Sequence, residues 1–364
     1  MNCRLMKMLN RCELRQLVAD SSHAIDAQAE GQPFSVTAWW LAFIDHVAQD
    51  TWRYAVPGFE PGRSFLPFYQ EEPAWGPWRA LTNFYTGQLL LSGIGQAPGG
   101  ADASSVHAVF AALAGLHPAP TAVELSPLSV QDAERAQRAW RAQGWATRVQ
   151  PAFGNWYLPC EGLAFDDYMR QRPKHLLNTW RRKRRVFEAG GTHRLEIVQE
   201  AALVPAAMDA FEQVYRRSWK PTEASPAFIR AWAHGCAGKG WLRLGLAWVN
   251  EVPVAAQFWV IAGGRAHVFK LAYDSAHASL SAGTVLSAHM FRHSLDVDQV
   301  HEVDYLSGDD AYKRDWMTQR RQRCTVSACN LRTWRGVALG LRQALASGRN
   351  RLRGPAPDIV ALAR

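Results

Sequence analysis

Three extended apolar segments in close succession constrain the fold more than any other feature of the chain. They cover residues 241–249, 252–261 and 265–273, and the pairs Asn250-Glu251 and Gly263-Gly264 separate them. Short polar or glycine pairs of this kind are typical of tight hairpin turns. The pattern therefore predicts an antiparallel three-stranded meander.

Apolar periodicity predicts both helices and strands around this meander. Pro173 interrupts one helix, which restarts and ends at Gly190-Gly191, and Ser225 is expected to cap another. The predicted elements are helix 174–189, strand 193–199, helix 204–219, the helix after Ser225, the meander, helix 282–295, strand 301–306, a short helix through Trp316 and strand 323–329. From residue 193 the order is β-α-α-β-β-β-α-β-α-β, which predicts a mixed α/β fold.

The first half of the chain carries weaker signals. Thr37 is expected to cap a helix, and Ser129 with Asp132 has the spacing of a capping box for a helix that stops at Gly144. Further predicted elements are a helix over 106–113, strands 88–91 and 121–125, and a last amphipathic helix with Leu331, Trp334, Ala338, Leu341 and Leu345.

A length of 364 residues is natural for two domains. Gly154, Pro159 and Gly162 mark the expected boundary, since glycine and proline interrupt regular elements. The predicted divisions are an N-terminal extension over 1–30, domains over 31–160 and 161–335, and a C-terminal helix with a basic tail over 336–364.

The net charge of +9 is concentrated in two segments. Residues 170–185 hold eight Lys or Arg and no acid, and residues 333–364 hold six Arg against Asp358 alone. A local basic patch indicates an anionic partner, which is a phosphorylated ligand, a nucleic acid or a membrane surface. The alternative is a solvated helix face that keeps the protein soluble.

Several function classes are not supported by the sequence. The longest apolar stretch, 252–264, is too short to cross a bilayer, and the basic N-terminus lacks the apolar run of a secretory signal, so we expect a cytoplasmic protein. The six cysteines are scattered and form no Cys-x-x-Cys pair, and the histidines show no zinc spacing. We therefore expect reduced thiols and no metal.

Two motifs give this order of elements a family resemblance. Leu280-Ser281-Ala282-Gly283-Thr284 opens a helix, and Gly308-Asp309-Asp310-Ala311-Tyr312-Lys313 follows the next strand. The combination resembles the GNAT acyltransferase superfamily, and more closely the acetyltransferase branch of bacterial exopolysaccharide and cellulose synthesis that is related to FemAB peptidyltransferases. The resemblance covers roughly 165–329 and is faint over 31–160. It implies tandem GNAT-like domains, each a mostly antiparallel sheet flanked by helices.

The helix start at Ser281 also suits an acyl-coenzyme A donor on physical grounds. Free N–H groups and the positive end of the helix dipole favour a pyrophosphate, and Gly283 allows close approach. The predicted donor-binding turn is thus Ser281, Ala282, Gly283 and Thr284, although the family usually has proline where Ala282 stands. The alternative is a plain Ser-capped core helix.

The resemblance further implies that strands 265–273 and 301–306 splay apart around the thioester. A backbone N–H near Leu271, Ala272 or Tyr273 then polarises the thioester carbonyl. Tyr312 is implied to lie beside the donor sulfur and protonate the thiolate, unless it only packs on Trp316.

Four other polar residues are candidates for the chemistry. Asp309 is the first candidate base, although an aspartate in this position is often a helix cap. Lys313 binds an anionic group of the donor or acceptor, or is a surface charge. Asp304 and His267 are weaker candidates for the base.

Among sixteen tryptophans, most are expected in the core, and Trp219 with Lys220 forms the predicted acceptor site. The sequence as a whole predicts an acyl-coenzyme A-dependent N- or O-acyltransferase acting on an amino or hydroxyl group of a sugar, an amino acid or a cell-envelope precursor. The alternatives are a FemAB-type transferase that uses aminoacyl-tRNA, and a non-catalytic binding protein for nucleic acid or envelope assembly.

Overall fold

The computed structural model describes residues 7–29, 31–56, 65–71, 76–80 and 110–352, with side chains up to residue 345 in the last helix. Its strands are β1 (Lys7–Leu9), β2 (Arg53–Val56), β3 (Phe68–Gln70), β4 (Trp78–Ala80), β5 (Ala122–Ser129), β6 (Ala146–Pro159), β7 (His193–Val198), β8 (Leu242–Val249), β9 (Val252–Ala262), β10 (Arg265–Tyr273), β11 (Glu302–Asp304) and β12 (Gln319–Cys329).

The α-helices lie on both sides of these strands. They are α1 (Arg11–Asp20), α2 (Ser22–Ala29), α3 (Thr37–His46), α4 (Val130–Ala142), α5 (Phe165–Arg170), α6 (Lys174–Ala189), α7 (Val204–Arg216), α8 (Pro226–Gly238), α9 (Ala282–Arg292), α10 (Lys313–Trp316) and α11 (Trp334–Leu352). Short 3-10 turns cover Pro33–Ser35, Ala201–Leu203 and Ser275–Leu280, and a π-helical turn, His293–Val297, extends α9.

All twelve strands join one sheet in the order β1-β2-β3-β4-β5-β12-β6-β11-β10-β9-β8-β7. Strands β8, β9 and β10 form the predicted antiparallel meander. Only β4 with β5 and β10 with β11 pair in parallel among the described strands. The predicted mixed α/β class, with a mostly antiparallel sheet flanked by helices, is confirmed.

Strand β6 connects the two halves of the sheet. It pairs with β12 along Ala146 to Tyr157 and with β11 along Tyr157 to Pro159, so it crosses the predicted boundary without interruption. The sheet is therefore continuous from Gly154 to Pro159, and the domain limits stay predictions.

Three apolar clusters hold the layers together. One lies under the N-terminal helices, where Trp39 contacts Phe228 and Trp232 of α8 with ring centroids 5.0 and 5.2 Å apart. A second packs α5, α6 and α9 on the opposite face of β8–β11, and a third packs α4 on β5 and β12. The helices near the N-terminus thus cover the C-terminal part of the sheet.

One of three predicted caps is wrong, one is right in position only, and one is confirmed. Thr37 is the first residue of α3 and not its cap, because its amide is bound by the Asp26 carboxylate at 2.7 Å. Ser225 occupies the N-cap position of α8, but its hydroxyl donates to the carbonyl of His46 at 3.1 Å and makes no cap bond. Ser129 does cap α4 and accepts from the amide of Asp132.

Most of the predicted elements recur with shifted ends. Helix 204–219 ends at Arg216, and strand 301–306 is reduced to Glu302–Asp304 because the chain then turns towards β6. The predicted strand 88–91 and the start of helix 106–113 lie outside the described residues. The five described cysteines are free thiols, and all but Cys12 are buried.

Candidate functional site

Strands β10 and β11 separate after a short parallel contact. They pair at Arg265–Glu302, Ala266–Val303 and His267–Asp304, and beyond this point β10 keeps only β9 as a neighbour among the described strands. The chain after Asp304 follows β6 instead, since the amide of Tyr305 donates to the carbonyl of Trp156. Leu271, Ala272 and Tyr273 therefore border an open gap in the sheet.

Helix α9 begins beside the end of β10. Ser281 occupies the N-cap position with a left-handed backbone, with φ of 50°, and its side chain makes no cap bond. The amides of Thr284 and Val285 bind the carbonyl of Ser281, whereas those of Ala282 and Gly283 have no acceptor among the described residues. Two N–H groups and the positive helix end thus remain for a ligand.

A buried glutamine holds this first helical turn in place. The Gln257 amide donates to the Ser287 hydroxyl at 2.7 Å and to the carbonyl of Gly283 at 3.3 Å, and it accepts from the Trp259 indole at 2.9 Å. Because the side chain is 2% exposed, each of its bonds replaces lost hydration. The sequence analysis did not identify Gln257 as a residue that positions α9, although a glutamine within an otherwise apolar strand is a recognisable sign of a buried hydrogen bond.

Tyr273 joins the predicted donor and acceptor residues. Its ring lies 4.4 Å from that of Trp219, and a Cβ added at Gly283 would lie 3.3 Å from its Cδ1 atom. Trp219 itself is 52% exposed. The structure therefore brings Gly283, Tyr273 and Trp219 into one wall at the open gap.

Lys220 and Lys270 flank the ring of Tyr215 next to this wall. Their ammonium groups lie 5.9 and 5.8 Å from the ring centroid, and Lys270 is paired with Glu223. Lys220 makes no side-chain hydrogen bond or ion pair with the described residues, and burial together with the charge of Lys270 lowers its pKa to about 8.

A cavity of about 380 Å³ opens beside these lysines. Its lining includes Tyr215, Lys220, Glu223 and the apolar side chain of Phe211. An ammonium group without a partner at the edge of such a cavity is suited to an anionic ligand group.

Lys313 stabilises the turn that follows β11. It is 4% exposed, and its ammonium donates to the carbonyls of Ser307 and Gly308 at 2.6 and 3.2 Å and approaches Asp310 at 3.3 Å. Burial lowers the pKa of Lys313. The prediction of a surface charge is therefore wrong, because the turn folds around this side chain.

Tyr312 lies on this turn, immediately before α10. Its ring meets Tyr305 edge to face at 5.9 Å, whereas Trp316 stacks on Phe291. The expected packing of Tyr312 on Trp316 is thus replaced by contact with Tyr305. Burial and the nearby Asp310 raise the pKa of Tyr312, so its hydroxyl remains a proton donor at neutral pH.

Asp309 points away from the gap. Both of its carboxylate oxygens accept from Arg320 on β12, with Nε 3.1 Å from each, and the Trp156 indole donates to one of them at 2.6 Å. Hydrogen bonds from Arg320 hold the pKa of Asp309 below its usual range. A carboxylate engaged in this way is a weak proton acceptor, so the base role of Asp309 stays a prediction that the geometry disfavours.

The two weaker base candidates are buried in the sheet. Asp304 accepts from Asn155 at 2.6 Å and is paired with Arg321; burial opposes its charge, yet Arg321 and His267 hold its pKa below the usual value. Burial lowers the pKa of His267 to about 4. Their contacts indicate a structural role between β10, β11 and β6.

The arginine-rich helix α6 lies against the loop that leads into α9. Lys183 donates to the carbonyl of Ser279, two residues before Ser281. Arg181, Arg182 and Arg185 are exposed and form no ion pair within the described part of the chain, whereas Arg184 is paired with Glu188. The basic segment seen in the sequence therefore neighbours the predicted donor site.

Membrane-spanning helices and metal-binding clusters are both absent from the part of the chain that the structure describes. Among the described residues, no helix combines the length and the apolar character that crossing a bilayer requires. Within the same ranges, no group of three or more His, Cys, Asp or Glu side chains is placed to hold a metal ion.

Comparison with solved structures shows what the fold resembles. FemX has a TM-score of 0.56 and 10% identity, and the match covers 85% of this chain and 95% of that one. The C-terminal domain of a putative lysylphosphatidylglycerol synthetase from Agrobacterium fabrum has a TM-score of 0.55 and 12% identity, covering 91% and 97%. L-PGS from Bacillus licheniformis gives 0.55 and 12%, covering 90% and 97%. At these identities the likeness concerns the fold alone.

Comparison of sequences identifies a similarity over only part of the chain. No curated protein matches the chain. Residues 174–314, from the start of α6 to α10, match the family model described as an acetyltransferase (GNAT) domain. This segment contains the gap between β10 and β11, the start of α9 and the turn with Tyr312. The chain therefore has a mixed α/β fold, and its residues 174–314 are similar to the GNAT acetyltransferase domain.

Proposed function

We propose that the protein is a cytoplasmic acyltransferase that takes an acyl group from acetyl-coenzyme A or another acyl-coenzyme A. The observation that carries this proposal is the open gap between β10 and β11, which has the unpaired amides of Ala282 and Gly283 beside it. A thioester arm lying along β10 would reach backbone N–H groups near Leu271 to Tyr273 while its pyrophosphate contacts the start of α9.

The acceptor enters, in this proposal, on the side of Trp219 and Lys220. Trp219 contacts Tyr273 directly, so an acceptor stacked on its exposed ring would lie close to the donor arm. The acceptor class is an amino or hydroxyl group on a sugar, an amino acid or a cell-envelope precursor, as in the exopolysaccharide-related branch that the sequence resembles. Lys220 would bind an anionic group of that molecule.

The chemical step forms a C–N or C–O bond and breaks the C–S bond of the thioester. The carbonyl oxygen becomes negative in the transition state and is stabilised by the N–H groups of β10. The thiolate then takes a proton, for which Tyr312 is the proposed donor, and the proton that the acceptor nitrogen or oxygen loses passes through water to restore the Tyr312 hydroxyl. Unchanged kcat in a correctly folded Tyr312→Phe protein would remove this hydroxyl from the mechanism.

The donor site can be tested with a pair of substitutions at Thr284. Thr284→Glu places a carboxylate in the first turn of α9, where it suits the helix dipole but repels phosphate. We expect acetyl-coenzyme A affinity, measured by calorimetric titration, to fall at least about tenfold, which is about 1.4 kcal/mol. Thr284→Gln has the same shape without the charge and should change the affinity by less than about threefold. Equal affinities for the two variants would contradict the placement.

The acceptor site has a pH dependence that follows from Lys220. Its pKa of about 8 means that the ammonium is charged below pH 8 and neutral above it. Binding of an anionic acceptor should therefore weaken as the pH rises through about 8, and Lys220→Arg should shift this loss to much higher pH. A panel of amino sugar phosphates and amino acids, assayed as KM against pH, supplies the measurement. A KM that is independent of pH in both proteins would exclude Lys220 from acceptor binding.

A second candidate donor is an aminoacyl-tRNA, as in FemAB-type transferases. The observation that favours it is the row of exposed arginines on α6, which Lys183 links to the loop before α9. Polyanion binding through such a row loses affinity steeply as salt rises, whereas a coenzyme A pyrophosphate makes few phosphate contacts. Titration with aminoacyl-tRNA at low and physiological salt separates the two donors. Nanomolar, salt-steep binding that needs Arg181, Arg182 and Arg185 would replace the preferred donor.

A further inference from the structure

The C-terminal helix α11 contacts the sheet through small residues. Gly336 is buried, and a Cβ added there would lie 2.1 Å from the carbonyl oxygen of Asn330. One turn later, a Cβ on Gly340 would lie 3.8 to 4.0 Å from side-chain atoms of Leu331, Cys329 and Ala146. The side of α11 that packs on the protein therefore contains Gly336 and Gly340 with the half-buried Leu339 and Gln343, whereas the other large apolar residues of the helix are directed elsewhere.

Those large residues form an exposed apolar stripe on α11. Trp334, Leu341 and Leu345 are 76%, 61% and 71% exposed, and Val337 lies between them. Their spacing places all four on one side of a helix with 3.6 residues per turn. The sequence indicated an amphipathic helix, and the structure shows that its apolar side faces outward.

Arginines border this stripe along one flank. Arg335 and Arg342 are exposed and seven residues apart, and Arg349 continues the spacing in the sequence. No acidic residue occurs from Thr333 to Pro357. The exposed side of α11 thus combines a continuous apolar surface with positive charge.

A basic cavity lies at the start of the same helix. It has a volume of about 420 Å³, and Arg53, Arg332 and Arg335 line it beside the Trp334 ring. Within the described residues its lining contains no carboxylate. The guanidinium groups of Arg53 and Arg332 are suited to the phosphate of a headgroup, and tryptophan favours the boundary between water and lipid.

We infer that α11 docks the protein on the surface of a bilayer that contains anionic phospholipid. The helix lies flat, with Trp334, Leu341 and Leu345 among the upper acyl chains and Arg335 and Arg342 at the phosphate level. A second copy of this chain is the less suitable occupant, because pairing two α11 stripes would bring two sets of arginines together without an acidic partner. The inference concerns the location of the protein at a membrane surface. It is the same whether the donor is an acyl-coenzyme A or an aminoacyl-tRNA.

Vesicle co-sedimentation tests this docking surface in the full-length protein. We expect binding to vesicles of phosphatidylcholine with about 30 mol% phosphatidylglycerol and much weaker binding to phosphatidylcholine alone. Arg335→Gln/Arg342→Gln should reduce the partition coefficient about thirtyfold, and Leu341→Ser/Leu345→Ser at least about tenfold. All four side chains are exposed, so both variants should keep the wild-type circular dichroism spectrum.

The matched control is Arg181→Gln/Arg182→Gln, which removes the same charge from α6. It should bind vesicles as the wild type does, and an equal loss would show that net charge alone drives binding. Absence of binding to anionic vesicles, or binding that the Leu341→Ser/Leu345→Ser protein retains, overturns the inference. A dimer by light scattering that this variant abolishes would assign the stripe to a second copy. If the protein bound vesicles only after removal of residues 353–364, the stripe on α11 would be assigned to that segment as its binding surface.

Discussion

Helices α6 and α11 have similar amphipathic, arginine-rich sequences but lie in opposite environments. In α6 the apolar side is buried, with Leu176 and Phe187 in the core beside α9 and the sheet. In α11 the apolar side is exposed and the small residues face the protein. The comparison shows that amphipathic periodicity identifies a helix with two kinds of surface, but not which surface the protein itself covers.

The position of each helix explains the difference. Helix α6 runs next to α9, whose start forms the predicted donor site, so both its apolar residues and Lys183 have partners within the fold. Helix α11 follows β12 and crosses only a narrow surface around Cys329 and Ala146, where glycine allows close approach. Its apolar residues therefore remain for a partner outside the described structure.

The largest expected difference between the helices is in folding stability. Phe187→Ala removes a buried ring from the core and should lower the free energy of unfolding by about 3 to 5 kcal/mol. Leu341→Ala removes an exposed side chain and should change it by no more than about 0.5 kcal/mol. Urea denaturation of both variants measures the two values. A large loss for Leu341→Ala would mean that α11 is covered within the folded chain, and the contrast between the helices would disappear.

A smaller difference is expected in donor binding. Arg181→Gln/Arg182→Gln removes positive charge close to the start of α9, so acetyl-coenzyme A affinity should fall about three- to tenfold at low salt, and less at high salt because of screening. Arg335→Gln/Arg342→Gln removes the same charge from α11 and should leave the affinity within about twofold. Calorimetric titration of the two variants at two salt concentrations provides the comparison. Equal losses would show that only the total charge matters and that α6 has no special position at the donor site.

The candidate site was predictable from the sequence to the extent that it depends on the backbone. Ser281 to Thr284 do begin a helix, as the local sequence pattern indicated, whereas the gap that Leu271 to Tyr273 border was implied only by the family resemblance. The contact between Trp219 and Tyr273 was not predictable from spacing, since 54 residues separate them.

Side chains that find distant partners were the least predictable. Asp309 was the first candidate base in the sequence, but in the structure Arg320 on β12 and Trp156 on β6 bind its carboxylate. Lys313 looked like a surface residue, but the carbonyls of Ser307 and Gly308 surround it. The pairing of Asp309 follows from which strands lie side by side, and local sequence does not contain that information. The Lys313 contacts are local, with carbonyls six and five residues earlier, but they depend on the conformation of the turn.

The amino-acid sequence alone determined the order of helices and strands from residue 174 to residue 329, the antiparallel meander and the amphipathic character of α6 and α11. These features depend on residues within one or two turns of each other, so periodicity and turn residues report them. Only the tertiary structure decided that β6 joins β12 across more than 150 residues, that β10 parts from β11, and that α6 buries the apolar side which α11 exposes. Those outcomes depend on long-range strand pairing, because a side chain is covered only when pairing brings another element over it.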